Sequence, residues 1–169
     1  PVSATNVTTA TPDAAYARGR IIHRLLQSLP DIPAASRIGA VERFLSHPRH
    51  GLNLTQRGEI AHEVHRLLVD EKFEVLWSSA SLAEAPLAGR INGAIVFRQV
   101  DRLCLKEDEV WIVDYKTNRP PPLTEKDIPA PYRQQLAEYR VLLSGIYPGK
   151  KVRCFLLWTF TADLMEIPA

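Results

Sequence analysis

The sequence predicts an α/β fold, a mixed central sheet flanked by helices, with a helical part at its N-terminal end. Three observations carry that expectation. Apolar residues recur at helical spacing as far as Val69, stretches rich in Val, Ile, Leu, Phe and Trp with a period of two replace them beyond residue 72, and one helical segment interrupts those strands. The chain has 169 residues, 46% hydrophobic and 24% charged, which suits one domain with a genuine core and excludes general disorder.

Residues 1–12, rich in Thr, Ser, Ala and Pro, read as a flexible lead-in or as the scar of a cut made inside a longer protein. Thr11 or Asp13 can then cap a helix over Asp13–Leu29, whose stripe of Ile22, Leu25, Leu26 and Leu29 ends at Pro30 and Pro33. His23 lies beside that stripe, on the side of Arg20 and Gln27. Ser36–Ser46, with Ile38, Val41, Phe44 and Leu45, forms a second helix, and Thr55–Val69, with Ile60, Val64, Leu67 and Leu68 behind a cap at Thr55, a third. Strands are expected at Phe73–Ser78, Gly93–Leu105, Val110–Thr117, Val152–Phe160 and Leu164–Ile167. Between them Tyr132–Ile146 carries Leu136, Tyr139, Leu142, Leu143 and Ile146 on one side and stops at Tyr147-Pro148-Gly149. One domain over 13–169 results, helical over 13–72 and a sheet core over 73–169.

No apolar stretch reaches the roughly 18 to 20 residues that a bilayer requires, and the first residues lack a basic region followed by an apolar run. Neither a membrane span nor secretion is expected. Cys104 and Cys154 stand far apart, without a CxxC pair or a disulfide framework, and a cytoplasmic location fits them. The net charge of +2 does not by itself predict a polyanionic partner. Basic residues nevertheless recur in the C-terminal half, at Arg90, Arg98, Arg102, Lys116, Arg119, Arg133, Arg140, Lys150, Lys151 and Arg153, as in a phosphate-lined groove or a solvated mixed-charge surface.

The hairpin 93–117 carries the chemistry. With Glu107 and Asp108 as its loop, paired positions sum to 215 and Asp101 falls opposite Asp114. Alternation gives Asp101, Leu103 and Leu105 one face in common with Val110, Ile112, Asp114 and Lys116. Two carboxylates facing each other across a sheet destabilise it unless a positive charge intervenes, and Lys116 alone supplies too little. A hard divalent cation, Mg²⁺ or Mn²⁺, answers that deficit and suits hydrolysis of a phosphodiester by an activated water, with Lys116 assisting. An exposed strand end bearing idle surface charges is the plainer alternative.

The segments Val100-Asp101-Arg102-Leu103, Val113-Asp114-Tyr115-Lys116-Thr117 and Tyr132-Arg133-Gln134-Gln135-Leu136-Ala137-Glu138-Tyr139 resemble, in order, the aspartate-arginine strand, D-Y-K-T strand and Q-x-x-x-Y helix of the RecB-like branch of PD-(D/E)xK nucleases. Gly19-Arg20-Ile21-Ile22-His23 is similar to that branch's G-x-x-x-H helix, and Glu84 in Ala83–Leu87 to its glutamate ahead of the first catalytic strand. The runs Asp114–Pro120, Ile146–Pro148 and Leu156–Thr159 look like the C-terminal nuclease domain of alphaproteobacterial AddA helicase-nucleases over roughly residues 13 to 169. The resemblance implies a restriction-endonuclease-like core and a Mg²⁺-dependent DNA exonuclease of double-strand-break repair. It implies His23, Asp101, Asp114 and the backbone carbonyl of Tyr115 as metal ligands, with Asp101, Asp114 and Lys116 catalytic. Gln135, Tyr139, Glu84 and Arg119 would support the site or hold DNA. The implied partners are DNA, a helicase portion of the same chain and an AddB-like subunit, all in the bacterial cytoplasm. No G-x-x-x-x-G-K-[ST] loop is present, so this would be a nuclease module without its motor. The rival is a catalytically silent nuclease fold kept for DNA binding or subunit docking. Such members often have glycine shortly before the aspartate-arginine pair, where this chain has Phe97-Arg98-Gln99-Val100.

Several residues have plainer readings. His62-Glu63-Val64-His65 lacks HExxH spacing and reads as a solvated helix face. Cys104 and Cys154 read as core residues, and Trp77, Trp111 and Trp158 as core residues of strands. Gln135 and Tyr139 share a helix face and could simply pack helix on sheet.

Overall fold

The hairpin register follows the loop geometry. Lys106 N–H donates to the Glu109 carbonyl at 2.9 Å, and Arg102 pairs with Val113, Leu103 with Ile112, Cys104 with Trp111 and Leu105 with Val110. Every pair has the expected sum. In this computed structural model, which describes residues 11–168, the helices are α1 (Pro12–Ser28), α2 (Ala34–Leu45), α3 (Leu54–Val69) and α4 (Ala130–Ile146). The strands are β1 (Ser81–Ile91), β2 (Ala94–Leu105), β3 (Glu109–Lys116), β4 (Lys151–Trp158) and β5 (Asp163–Ile167), in that spatial order in one sheet. Most of the expected lead-in, residues 1–10, lies outside the described residues, whereas Thr11 caps α1 by accepting from Ala14 N–H.

β3 and β4 run parallel, and the other neighbouring strands are antiparallel. A parallel pair needs a crossover, and α4 supplies it. Leu103, Val110, Ile112, Cys154, Leu156 and Trp158 point to the α4 side, packing with Leu136, Tyr139, Leu142 and Leu143. Cys104, Val113, Tyr115, Phe155 and Leu157 point to the other side, where Ile22, Leu25, Leu26, Val64 and Leu67 cover them. β3 and β4 at the centre of the sheet are thus covered on both faces, whereas Ile95 and Phe97 of β2 are exposed, and both cysteines are core residues.

Two expected elements differ. Phe73–Ser78 is no strand: Glu71–Trp77 forms a 3₁₀ helix, capped by the Asp70 side chain on Lys72 N–H. Its spacing of three puts Phe73 and Leu76 side by side in the core, and Trp77 donates from Nε1 to the Leu67 carbonyl at 2.8 Å. The first strand comes later, as β1, joined to β2 through Asn92 and Gly93, both at positive φ as a two-residue hairpin turn requires. At α3 the cap is Asn53 rather than Thr55, because Asn53 and Gln56 bond each other's backbone N–H groups in a capping box.

The face expected to be solvated at 62–65 is half buried. Glu63 sits on the same side of α3 as Ile60 and Leu67, is 3% exposed, and accepts from Arg18 of α1, from Arg119 at 2.8 Å and from Thr159 Oγ1 at 2.6 Å. One carboxylate therefore ties together α1, α3, the segment after β3 and the end of β4. Removing it strands two guanidinium groups beside the core. Glu63→Ala is expected to lower unfolding free energy by about 3 kcal/mol, the usual cost of deleting one partner from a buried ion pair, measured by urea denaturation.

Candidate active site

At Asp101 strands β2 and β3 part, and the carboxylate takes over from the backbone ladder. The last backbone pair is Arg102 with Val113, and Asp101 Oδ2 accepts the Tyr115 N–H at 2.7 Å. The alternation that directs Leu103 and Leu105 toward α4 is broken here, since Val100 also belongs to the α4-side core. The expected shared face of Asp101 with Leu103 and Leu105 is corrected accordingly: its carboxylate lies between the strands. The neighbouring position on β1 carries the same distortion, because Glu84 has φ of +49°, a left-handed conformation that costs a non-glycine residue.

His23 arrives from α1 across this gap. Its Nδ1 lies 3.1 Å from Asp101 Oδ1 and its Nε2 3.1 Å from the Tyr115 carbonyl oxygen. Close approach of the helix depends on Gly19, one turn earlier, where a Cβ would sit 2.8 Å from Thr117 Oγ1. Burial disfavours the charged imidazole, but the hydrogen bond and charge of Asp101, then Asp114 and the Tyr115 carbonyl, together raise the His23 pKa. Tyr115 itself is anchored beneath, its hydroxyl accepting from Arg102 Nε at 3.1 Å, while Arg102 also donates to the Leu26 carbonyl of α1 at 2.7 Å.

Asp114 and Lys116 lie on the α4 side. Asp114 is buried, and burial followed by the charge of Asp101 raises its carboxyl pKa well above the usual range, against the pull of Lys116 and His23. Lys116 Nζ stands 2.5 Å from Asp114 Oδ2, a close and buried ion pair. The ammonium also donates to Gln135 Oε1 at 3.1 Å and lies 4.0 Å from the centre of the Tyr132 ring. Gln135 donates to Tyr139 OH at 2.8 Å, and Tyr139 to the Gln99 carbonyl at 2.9 Å. Burial first, then Asp114, pushes the Tyr139 hydroxyl up to about 12, so it remains a donor. This chain of bonds orients the Gln135 amide, beyond merely packing helix on sheet.

Glu84 borders the gap near His23, its carboxyl raised by partial burial and then by Asp101. Arg119 does not. Its guanidinium turns to Glu59 and Glu63 of α3 and lies over Phe160, away from Lys116. Much of the expected C-terminal basic groove is likewise spoken for: Arg98 pairs with Glu138, Arg133 with Glu125, and Arg153 with Glu109 and Glu166. The Arg98–Glu138 pair is also how this chain accommodates an arginine before the aspartate-arginine pair. Arg102 and Glu63 are the buried charges that residue-by-residue reading passed over. Glu63's place on the Ile60 and Leu67 side of α3 was the available signal.

The donors suit a hard divalent cation. Two carboxylates, an imidazole and a carbonyl oxygen are nitrogen and oxygen ligands, and Asp114 is a buried carboxylate whose Oδ2 meets only the Lys116 ammonium. Among the described residues, no three His, Cys, Asp or Glu side chains are already gathered at ligating distance, since Asp114 is turned to Lys116. Among the described residues no helix is long and apolar enough to cross a membrane.

The fold is shared with a solved structure. A protein of Eubacterium rectale described as a candidate exonuclease superposes with a TM-score of 0.59 and 17% identity, over 94% of this chain and 59% of its own. Protein VC1899 of Vibrio cholerae aligns over 89% of this chain and 48% of its own, with a TM-score of 0.35 and 11% identity. The chain thus spans well under two thirds of either protein. No curated protein matches the chain. The model of the PD-(D/E)XK nuclease superfamily matches residues 3–163, nearly the whole length, and this chain belongs to that superfamily.

Proposed function

We propose that the domain is a metal-dependent deoxyribonuclease that degrades DNA strands from their ends, as the nuclease module of an AddA-type helicase-nuclease. The observation that carries the reading is the meeting of two carboxylates, an imidazole and a lysine where β2 and β3 part. His23, Asp101, Asp114 and the Tyr115 carbonyl would hold Mg²⁺ or Mn²⁺. When bound, the cation supplies charge to polarise a phosphate and to acidify a water.

The chain's own residues do the rest. Asp101, fixed by the Tyr115 N–H, leaves Oδ1 facing His23, so the imidazole and carboxylate are oriented together. The Lys116 ammonium, held by Gln135 and the Tyr132 ring, is a donor for the attacking water and for charge developing on the phosphate. Tyr139 fixes which end of the Gln135 amide meets Lys116. Water adds to phosphorus as the leaving deoxyribose oxygen departs, and the protein contributes position and charge rather than a covalent intermediate. The exonuclease mode is supported by the description of the Eubacterium rectale protein. The helicase-nuclease setting, with a helicase portion of the chain, an AddB-like partner and the bacterial cytoplasm, is supported by the sequence runs 114–120, 146–148 and 156–159.

Asp114→Asn and Lys116→Ala are each expected to slow cleavage of an end-labelled oligonucleotide by at least about a hundredfold without changing the circular dichroism spectrum. Full activity in either variant rules the site out. Tyr139→Phe, which removes one orienting hydroxyl, is expected to cost only about five- to tenfold. EDTA should abolish cleavage and Mg²⁺ or Mn²⁺ restore it. A covalently closed single-stranded circle should resist digestion, and its cutting would replace the exonuclease reading with an endonuclease.

A further inference from the structure

Beside the candidate site, an open groove of about 900 Å³ runs along α1 toward the segment after α2. Tyr16, Arg20, Arg24 and Gln27 line it from one face of α1, at the helical spacing that also presents His23. Arg49 lines it from the segment after α2, and Glu84 closes the end nearest Asp101.

The arginines of this groove differ from those that the fold ties to carboxylates. Arg18, Arg98, Arg119, Arg133 and Arg153 are all paired with carboxylates. Among the described residues Arg20, Arg24 and Arg49 have no carboxylate partner. Arg24 bonds only the Gln27 amide, Arg49 only the His50 ring nitrogen, and Arg20 lies 6.0 Å from the centre of the Tyr16 ring. Three uncompensated guanidinium groups therefore face one carboxylate, Glu84, in a concave surface that opens onto His23. Such an excess of positive charge fits a chain of phosphates. Tyr16 is 71% exposed, far more than its packing needs, and offers a flat aromatic surface at the same rim. In a duplex the base faces are hidden in the stack; in a single strand they are free to lie on such a ring.

We propose that this groove seats a single-stranded polynucleotide on the His23 side of the site, with Arg20, Arg24 and Arg49 on consecutive phosphates and Tyr16 under a base. The assignment rests on the nuclease reading for its direction, since the strand would lead into the Asp101 and Asp114 gap. It places the phosphate-binding surface in the helical layer rather than in the C-terminal half, where Arg98, Arg119, Arg133 and Arg153 are paired with carboxylates.

The test is fluorescence anisotropy of the 169-residue chain with labelled oligo(dT), in EDTA to prevent cleavage, over a salt series. The triple variant Arg20→Ala, Arg24→Ala, Arg49→Ala is expected to bind more weakly and to lower the slope of log affinity against log salt by about 2, roughly 0.7 for each lost phosphate contact. Tyr16→Ala is expected to weaken oligo(dT) while leaving a duplex of the same length unaffected. Lys151→Ala, at the opposite end of β3 and β4, should change neither. An unchanged salt slope in the triple variant, or equal loss of duplex and single strand in Tyr16→Ala, overturns the proposal, and it does so even if Asp114→Asn abolishes cleavage as expected. Groove-dependent binding by a wild-type chain that cleaves nothing with Mg²⁺ or Mn²⁺ upholds the groove and fails the nuclease reading instead.

Discussion

The structure turns on a carboxylate standing where a backbone carbonyl would be expected. Asp101 accepts the Tyr115 N–H, so β2 and β3 can separate without leaving that donor unpaired. The separation opens space at the carboxyl end of β3 for His23, Asp114 and Lys116 to approach from both sides of the sheet. Were the ladder continued, Asp101 would follow Leu103 into the α4-side core, and an ionised group there would be costly. The local distortion extends to β1, where Glu84 sits at positive φ.

Holding the gap open depends on the helical layer. α1 delivers His23 and is itself located by three unlike contacts: its apolar stripe on the sheet, the close passage of Gly19 over Thr117, and the Arg18 bond to Glu63. Arg102 adds a fourth, joining the Leu26 carbonyl to the Tyr115 hydroxyl beneath the site. The outer face of the same helix bears Arg20 and Arg24, which among the described residues have no carboxylate partner. One helix thus has an inner face that builds the site and an outer face suited to a ligand.

Much was legible in the residues themselves. Hairpin register followed from a short polar loop between two alternating segments, so the pairs from Leu105 with Val110 to Arg102 with Val113 could be set by counting, although Asp101 then leaves the ladder. The 3.6-residue stripe of α1 left His23 beside the core, and the four-residue spacing of Gln135 and Tyr139 put them on one face, where they are bonded. What misled was the apolar run Phe73–Trp77, whose large β-formers suggest a strand although Phe73 and Leu76 are spaced for a 3₁₀ turn. β1 was obscured by Pro86 and by Ala and Gly, poor strand formers, even though Asn92-Gly93 marks a hairpin.

The sequence by itself determined most of the alternation of helix and strand, the order of the candidate site residues and the hairpin register as far as Arg102 and Val113, because each depends on local period or on a two-residue loop. Tertiary structure alone decided which charges are neutralised. Arg119 and Arg20 are indistinguishable as letters, yet one is bound to Glu63 from a distant helix and the other faces solvent in a groove. Electrostatic partnership falls off with distance in space and is screened by the dielectric around each pair, neither of which is written in the spacing along a chain. That is why the pairing of Arg98, Arg119, Arg133 and Arg153 could not be read from composition.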